Sequence, residues 1–145
     1  MPSLSKANSG QPGAIRIQVA LIGCNHRTAP VELRERISFT AQQALQAADE
    51  LRNLGILEEA VVLSTCNRSE LYGVPDEAHP TPAEAMEEYF RSFHRIPSAD
   101  LNGRIYRWAG PDAVRHLFRV AAGIDSMMLG EAEILGQLQI GRAHV

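Results

Sequence analysis

Short apolar segments alternate with amphipathic helical segments along most of this 145-residue sequence, and their order limits the fold more than any other feature. The hydrophobic periodicity predicts strands and helices in the order β-α-β-β-α-β, followed by one more helix. Such an order favours an α+β protein. We expect a two-layer α/β sandwich of ferredoxin-like arrangement, with helices on one face of a mainly antiparallel sheet.

The boundaries of these segments follow from turn and cap residues. Strands are predicted at residues 15–22, 60–63, 70–74 and 103–109. Pro30 suits the first position of a helix over 31–39, and Thr40 with Gln43 predicts a capping box for a helix over 41–54. A further helix is entered at Thr81-Pro82. The last begins at Pro111 and ends at Gly123, with a predicted core stripe of Val114, Leu117, Phe118 and Ala121.

The domain organisation is predicted to be simple. Residues 1–14 are polar and predict a disordered leader, residues 15–137 a single domain, and residues 138–145 the start of a longer helix or a non-native tail. No apolar run approaches the roughly 20 residues that a membrane helix needs. Two cysteines make no disulfide framework, so we expect a reduced, cytoplasmic protein without a membrane partner.

Charge is unevenly distributed along the chain. Residues 47–90 hold ten acidic residues against two arginines, whereas residues 101–123 hold Arg104, Arg107, Arg115 and Arg119 against Asp112 alone. A locally basic surface suits an acidic partner such as RNA, but on charge alone a solvated arginine face explains it as well. The only lysine is Lys6, in the leader, so Schiff-base chemistry at a buried lysine is not expected.

The segment Ser64-Thr65-Cys66-Asn67-Arg68-Ser69-Glu70 follows a predicted buried strand directly. Cys66 therefore lies where sheet gives way to loop, a common position for a reactive side chain. Arg68 is a candidate either to favour its thiolate or to hold a substrate carboxylate. The simpler alternative is a small buried cysteine. Cys24 ends the first strand, and if that strand neighbours residues 60–63, the two cysteines could form a redox pair.

Two other stretches contain polar candidates. His116 lies opposite the predicted core stripe, either exposed or facing a cleft, where it could act as acid, base or hydrogen-bond donor. Residues 123–137 form a glycine-flanked segment with several polar side chains, or a loop leading into a helix. The sequence has no zinc-ligand spacing and no glycine-rich nucleotide motif, so neither a metal nor a nucleotide cofactor site is predicted in this chain.

Three long stretches in the same order resemble glutamyl-tRNA reductases. They are GCNHRTAPVELRERISF, VVLSTCNRSELYGV and HLFRVAAGIDSMMLGEAEILGQ, and the likeness runs from about residue 17 to residue 137. The resemblance is to the N-terminal catalytic domain of that family. It implies NADPH-dependent reduction of glutamyl-tRNA to glutamate-1-semialdehyde through a cysteine thioester, the first step of tetrapyrrole (porphyrin) biosynthesis.

The resemblance also implies roles for individual residues. Cys66 is the catalytic nucleophile and His116 the histidine required for activity. The implied substrate-binding positions are Thr65, Cys66, Asn67, Arg68, Ser126, Glu131, Ala132, Glu133 and Gln137. The family often has Gln where this chain has Glu133, so the contact at that position differs. NADPH is expected to bind a domain that this chain lacks, without a metal.

The implied partners are glutamyl-tRNA, a second subunit bound through a C-terminal domain absent from this chain, and the aminomutase that acts next in the pathway. We therefore expect a fragment that forms the thioester but does not complete the reduction. Two alternatives remain open from the residues themselves. One is a non-catalytic RNA-binding module that uses the basic surface between Arg104 and Arg119, and the other is a thiol-redox protein built on Cys24 and Cys66.

Overall fold

The computed structural model describes residues 18–123, which form a four-stranded sheet with five helices. The strands are β1 (Ala20–Asn25), β2 (Leu57–Ser64), β3 (Arg68–Pro75) and β4 (Tyr106–Ala109). The helices are α1 (Val31–Arg36), α2 (Ala41–Asn53), α3 (Pro82–His94), α4 (Ser98–Leu101) and α5 (Pro111–Ala121). The predicted leader, the tail over 138–145 and most of the segment 123–137 lie outside the described residues.

The strands are ordered β2-β3-β1-β4, and every neighbouring pair is antiparallel. Strand β1 therefore lies between β3 and β4, although β2 follows it in the sequence. This is the strand order of the β-α-β-β-α-β arrangement, in which a helix carries the chain past one strand position. The predicted α+β class and antiparallel sheet are confirmed.

Both faces of the sheet are covered, because the central strand β1 is apolar on both sides. Side chains alternate between the two faces of a strand, so Leu21 and Ile22 point in opposite directions. Ile22 packs with the residues of α2 and α3 in the larger core, which includes Leu51 and Phe90. Leu21 packs in a smaller core under α5. The expectation of helices on one face therefore accounts for α2 and α3, and α5 adds a layer on the other.

The orientation of α5 differs from the prediction. Its buried residues are Ala113 and Val120, with Leu117 packed beside them, whereas Phe118 is 69% exposed. Of the predicted stripe through Val114, Leu117, Phe118 and Ala121, Leu117 packs on the core but Phe118 does not, because the helix is rotated toward His116. The polar contact that His116 makes with the sheet, described below, fixes this rotation.

Several boundaries also differ, and two of them lie next to the loop that follows β1. Strand β1 continues to Asn25, three residues beyond its predicted end at residue 22. Antiparallel pairing with β3 holds this end of the strand, since Asn25 lies opposite Arg68. Pro30 is the N-cap of α1 and not its first residue. No helix within residues 18–123 has the length and hydropathy that a membrane span requires.

The start of α2 provides a stability prediction. Thr40 accepts a hydrogen bond from the Gln43 backbone N–H, and the Gln43 side chain accepts one from the Thr40 N–H, as the capping box predicted. Thr40→Ala should lower the free energy of unfolding by about 1 kcal/mol, measured by urea denaturation. Thr81→Ala is the matched control, because Thr81 precedes α3 without a side-chain cap bond. Equal losses in the two variants would contradict the capping role of Thr40.

Candidate active site

Cys66 lies at the tip of a tight three-residue turn between β2 and β3. The Thr65 backbone N–H donates to the Arg68 carbonyl oxygen at 2.8 Å, and the Asn67 backbone N–H donates to Thr65 Oγ1 at 3.1 Å. Thr65 and Asn67 are buried by these contacts, whereas Cys66 is exposed. The turn thus fixes the backbone on both sides of the thiol and leaves the thiol accessible to another molecule.

The base of the same turn is tied to the core. Ser64 Oγ and Ser69 Oγ lie 3.0 Å apart across the β2–β3 pair, and the Phe39 backbone N–H donates to Ser64 Oγ at 2.9 Å. These bonds are buried, so they are shielded from competition with water. They connect the Cys66 turn to the segment between α1 and α2.

Arg34 connects the Cys66 turn to the loop that follows β1. Its Nε donates to the Cys66 carbonyl oxygen at 3.3 Å, and its Nη1 donates to the Ala29 carbonyl oxygen at 2.9 Å. No sequence pattern marks Arg34 as part of the site. Its place in the amphipathic segment VELRER gives no sign of the contact, because the partner atoms are backbone oxygens 32 and 5 residues away.

The buried carboxylate of Glu70 connects several side chains on the face of the sheet that α5 covers. Glu70 has no solvent-accessible surface and accepts four contacts from other side chains. The donors are Tyr72 Oη at 2.7 Å, Tyr106 Oη at 2.5 Å, His116 Nε2 at 2.6 Å and Arg68 Nη1 at 3.4 Å. We call these five residues the Glu70 network. Since an ionised carboxylate only accepts hydrogen bonds, His116 carries a hydrogen on Nε2.

The network keeps Glu70 charged and its tyrosines neutral. Burial alone raises the pKa of the Glu70 carboxyl, but His116, Arg68 and Tyr106 together lower that pKa below its usual 4.5. Burial and the negative charge of Glu70 raise the pKa of both Tyr72 and Tyr106. Each tyrosine therefore keeps its hydroxyl hydrogen and donates it to Glu70. Tyr72 donates to Oε1 and Tyr106 to Oε2, so each carboxylate oxygen has a neutral donor.

Gly23 makes room for this carboxylate. It lies opposite Glu70 in the β1–β3 register. A Cβ atom at this position would lie 2.7 Å from Glu70 Cγ and 2.7 Å from the Ser69 carbonyl oxygen. Any larger residue would therefore displace either the side chain or the strand, which is why glycine occupies the strand here.

Arg68 belongs to the Glu70 network and is fully buried. Cys66 is exposed at the tip of the turn, whereas the Arg68 guanidinium is directed to the α5 side of the sheet, where it contacts Glu70. Its proposed contact with a substrate carboxylate or with the Cys66 thiolate stays a prediction. Among residues 18–123, Arg34 is the cationic residue that donates a hydrogen bond to the Cys66 backbone.

Cys24 is on the other face of the sheet from the Glu70 network. Strand β1 neighbours β3 and β4 and not β2, so the condition for a Cys24–Cys66 pair, that the first strand adjoins residues 60–63, is not met. Cys24 has no solvent exposure, and burial, with the charge of Glu70, raises the pKa of its thiol to about 12. Both cysteines are free thiols.

His116 also lines a cavity of about 410 Å³ between β4 and α5. We call it the β4–α5 cavity, and its wall includes Arg27, Tyr106, Trp108, Arg115, His116 and Arg119. The cavity continues to Asn25, which pairs with Arg68 at the base of the Cys66 turn. His116 therefore faces both the buried network and an open cleft, in agreement with one of the two placements expected from the sequence.

The structure thus brings Thr65, Cys66, Asn67 and Arg68 to the same end of the sheet as His116 and the loop after β1. The remaining predicted substrate-binding residues are not among the described ones. They are Ser126, Glu131, Ala132, Glu133 and Gln137, and their roles stay predictions.

The charge of Glu70 gives a prediction about folding. Glu70→Gln would remove the charge of a buried carboxylate that pairs with the Arg68 guanidinium and accepts from three further side chains, so we expect a loss of about 3–5 kcal/mol in the free energy of unfolding. Glu88→Gln is the matched control, because Glu88 pairs with Arg91 on the exposed side of α3, where such pairs contribute little. Urea denaturation at neutral pH distinguishes the two. A similar small loss for both would show that the Glu70 network is not ionised.

The lowered pKa of Glu70 gives a second prediction, for acid stability. A carboxyl with a lower pKa in the folded state contributes stability that is present above its usual 4.5 and is lost as pH falls through the folded value. Between neutral pH and about pH 3, the unmodified chain should lose more stability than Glu70→Gln does. Parallel pH-dependent unfolding curves for the two proteins would contradict this assignment.

Comparison with known proteins identifies the family to which the chain belongs. Residues 22–142 match the family model described as glutamyl-tRNAGlu reductase, N-terminal domain. The glutamyl-tRNA reductase of Marinobacter nauticus is 49% identical over 118 residues, which are 81% of this chain and 27% of that protein. The enzyme of Stenotrophomonas maltophilia is 48% identical over 119 residues, which are 82% of this chain and 26% of that protein.

A solved structure shows the same relationship. The glutamyl-tRNA reductase from Methanopyrus kandleri superposes with a TM-score of 0.66 at 30% identity, covering 87% of this chain and 27% of that one. This chain spans about a quarter of the length of the relatives that it matches. Since the family model covers most of its residues, the chain belongs to the glutamyl-tRNA reductase family, to which it is related through the N-terminal domain.

Proposed function

We propose that this chain is the thioester-forming part of a glutamyl-tRNA reductase, with Cys66 as the nucleophile. The observation that carries the proposal is the contrast between Cys66 and its surroundings. The thiol is exposed, while the residues on either side are buried and hydrogen-bonded in the turn. A nucleophile held in this way meets an incoming ester with little loss of its own conformational freedom.

The proposed reaction begins with an aminoacyl ester. The Cys66 thiolate attacks the glutamyl carbonyl carbon, a carbon–sulfur bond forms, and the bond to the terminal ribose oxygen of the RNA breaks. The ribose oxygen then takes up a proton and the RNA is released. The product is a glutamyl thioester, which accepts hydride more readily than an oxygen ester does, so one difficult reduction is divided into two easier steps.

His116 is proposed to act at the same end of the sheet. With Nε2 bound to Glu70, its ring is fixed in orientation, and the residue lines the β4–α5 cavity. An imidazole held by a carboxylate suits a group that orients a substrate or returns a proton to the leaving ribose oxygen. Glu70 and Tyr106 act through His116 and are positioning residues in this proposal.

NADPH, the hydride donor that the family resemblance implies, does not fit the residues of this chain. The sequence contains no glycine-rich phosphate-binding motif of the kind that holds a dinucleotide. We propose that the cofactor binds a region of the longer relatives that this chain does not span. When bound, it would supply hydride to the thioester.

Further parts of the proposal concern partners and location. Dimerisation through a C-terminal domain, contact with the next enzyme of the pathway and a cytoplasmic location remain predictions from the resemblance. The alternative function is a non-catalytic RNA-binding module. It is favoured by the arginines of the β4–α5 cavity and does not require Cys66.

The test is to mix the chain with tRNA charged with labelled glutamate, without NADPH, and to quench with acid. We expect label on the peptide that contains Cys66, located by mass mapping, and no label in Cys66→Ala. The thioester should be released by hydroxylamine, as thioesters are. Absence of label in a folded sample would contradict the assignment of Cys66 and favour the RNA-binding alternative.

Cys24 provides the matched control within the same chain. Brief treatment of the native protein with iodoacetamide should modify the exposed Cys66 and prevent labelling, while the buried Cys24 stays unmodified. Cys24→Ala should retain labelling, provided that circular dichroism shows it folded. Loss of labelling in folded Cys24→Ala would contradict a single nucleophile.

A further inference from the structure

We propose that the β4–α5 cavity binds the unpaired 3′ end of the RNA, with a base stacked on Trp108 and phosphate groups bound by Arg115 and Arg119. This inference deepens the proposed function and rests on it for the identity of the RNA. It assigns a role to three residues that the thioester chemistry does not use.

Trp108 supplies a flat surface of the size of a base. It lies on the edge strand β4 and is 43% exposed, although tryptophan is usually covered. Its ring lies 6.3 Å from the His116 ring, with an angle of 23° between the planes. Tyr106, two residues earlier on the same face of the strand, is held by Glu70. Trp108 is therefore the aromatic side chain that remains for stacking with a base.

Charge complementarity favours a phosphate backbone next to this ring. Arg115 and Arg119 are four residues apart on α5 and so lie on one face of the helix. Arg115 pairs with Asp112 at 2.7 Å, but both side chains are more than half exposed, and such a pair exchanges readily for another anion. Arg119 makes no ion pair with any residue between 18 and 123. Arg107, also on β4, is instead held by Glu84 and Glu87.

The size and place of the cavity select an unpaired nucleotide over a duplex. A volume of about 410 Å³ is in the range of sites for small organic ligands and is too small for a helical stem. The cavity reaches Asn25, which lies opposite Arg68 at the base of the Cys66 turn. A terminal nucleotide bound here would leave its ribose near the end of the sheet where Cys66 is exposed.

The experiment uses uncharged RNA, so that no acyl transfer is involved. An RNA hairpin with a short unpaired 3′ extension is titrated into the full chain and compared with a blunt hairpin of the same stem. Trp108 is the single tryptophan of the sequence, so its fluorescence reports binding at this position. We expect the extended hairpin to quench it and the blunt hairpin to leave it unchanged. Equal binding of the two RNAs, or binding without quenching, would overturn the inference.

Variants test the two kinds of contact separately. By fluorescence anisotropy of labelled RNA, Trp108→Leu should bind about 5- to 100-fold more weakly. Arg119→Ala should lower the slope of log affinity against log salt concentration by about 0.7, as for one lost phosphate contact on a single strand.

Arg115→Ala should also weaken binding. Its matched control is Arg52→Ala, because Arg52 pairs with Asp49 at the same spacing on α2. Equal effects of the last two variants would overturn the proposal.

Parallel acylation with charged tRNA keeps the two proposals distinguishable. Labelling of Cys66 without quenching of Trp108 overturns the cavity as the RNA site and leaves the proposed function intact. Quenching without labelling has the opposite meaning: the RNA site stands, and the role of Cys66 fails.

Discussion

Ionised Glu70 lies at zero solvent exposure between the central strands and α5, and a carboxylate without partners there would cost several kcal/mol. The surrounding structure supplies those partners from three elements. Arg68 and Tyr72 come from the same strand, Tyr106 from β4, and His116 from α5. The carboxylate therefore couples the strand after the Cys66 turn to the helix that carries His116.

This coupling explains why α5 packs in an orientation that leaves Phe118 largely exposed. Burying a phenylalanine side chain contributes about 1.5–3 kcal/mol. Rotating the helix to achieve that would withdraw His116 from Glu70 and leave a buried acceptor with a missing charge-assisted hydrogen bond, at a cost of comparable size or more. The helix is thus oriented by its polar contact, and the small residue Ala113 fits closely against the sheet beside it.

The same competition marks the limit of what the sequence predicted. Hydrophobic periodicity predicted the α+β class and the antiparallel sheet, because the order of strands and helices follows from local pattern. The residue types at Thr40 and Gln43 predicted the capping box, because its hydrogen bonds are local. The hydrophobic periodicity of α5 predicted the wrong buried face for this helix. An apolar stripe gives no information about the hydrogen bond between His116 and Glu70, which is 46 residues away in the sequence. Arg34 was missed for a similar reason, since its partners are backbone oxygens that only the fold brings near.

The two cysteines show how position in the sheet decides whether a thiol is accessible. Cys24 lies on the core side of β1, where burial raises the pKa of its thiol to about 12, so the group stays a thiol at neutral pH. Cys66 lies at the tip of the turn between β2 and β3, where the bonds within the turn are made by its neighbours and its own hydrogen bond is through the backbone oxygen. Acylation of Cys66 would consequently add a group at the surface without breaking a contact of the core. In the proposed reaction, this separation would let the thiol be acylated and released without disturbing the packing that holds the turn in place.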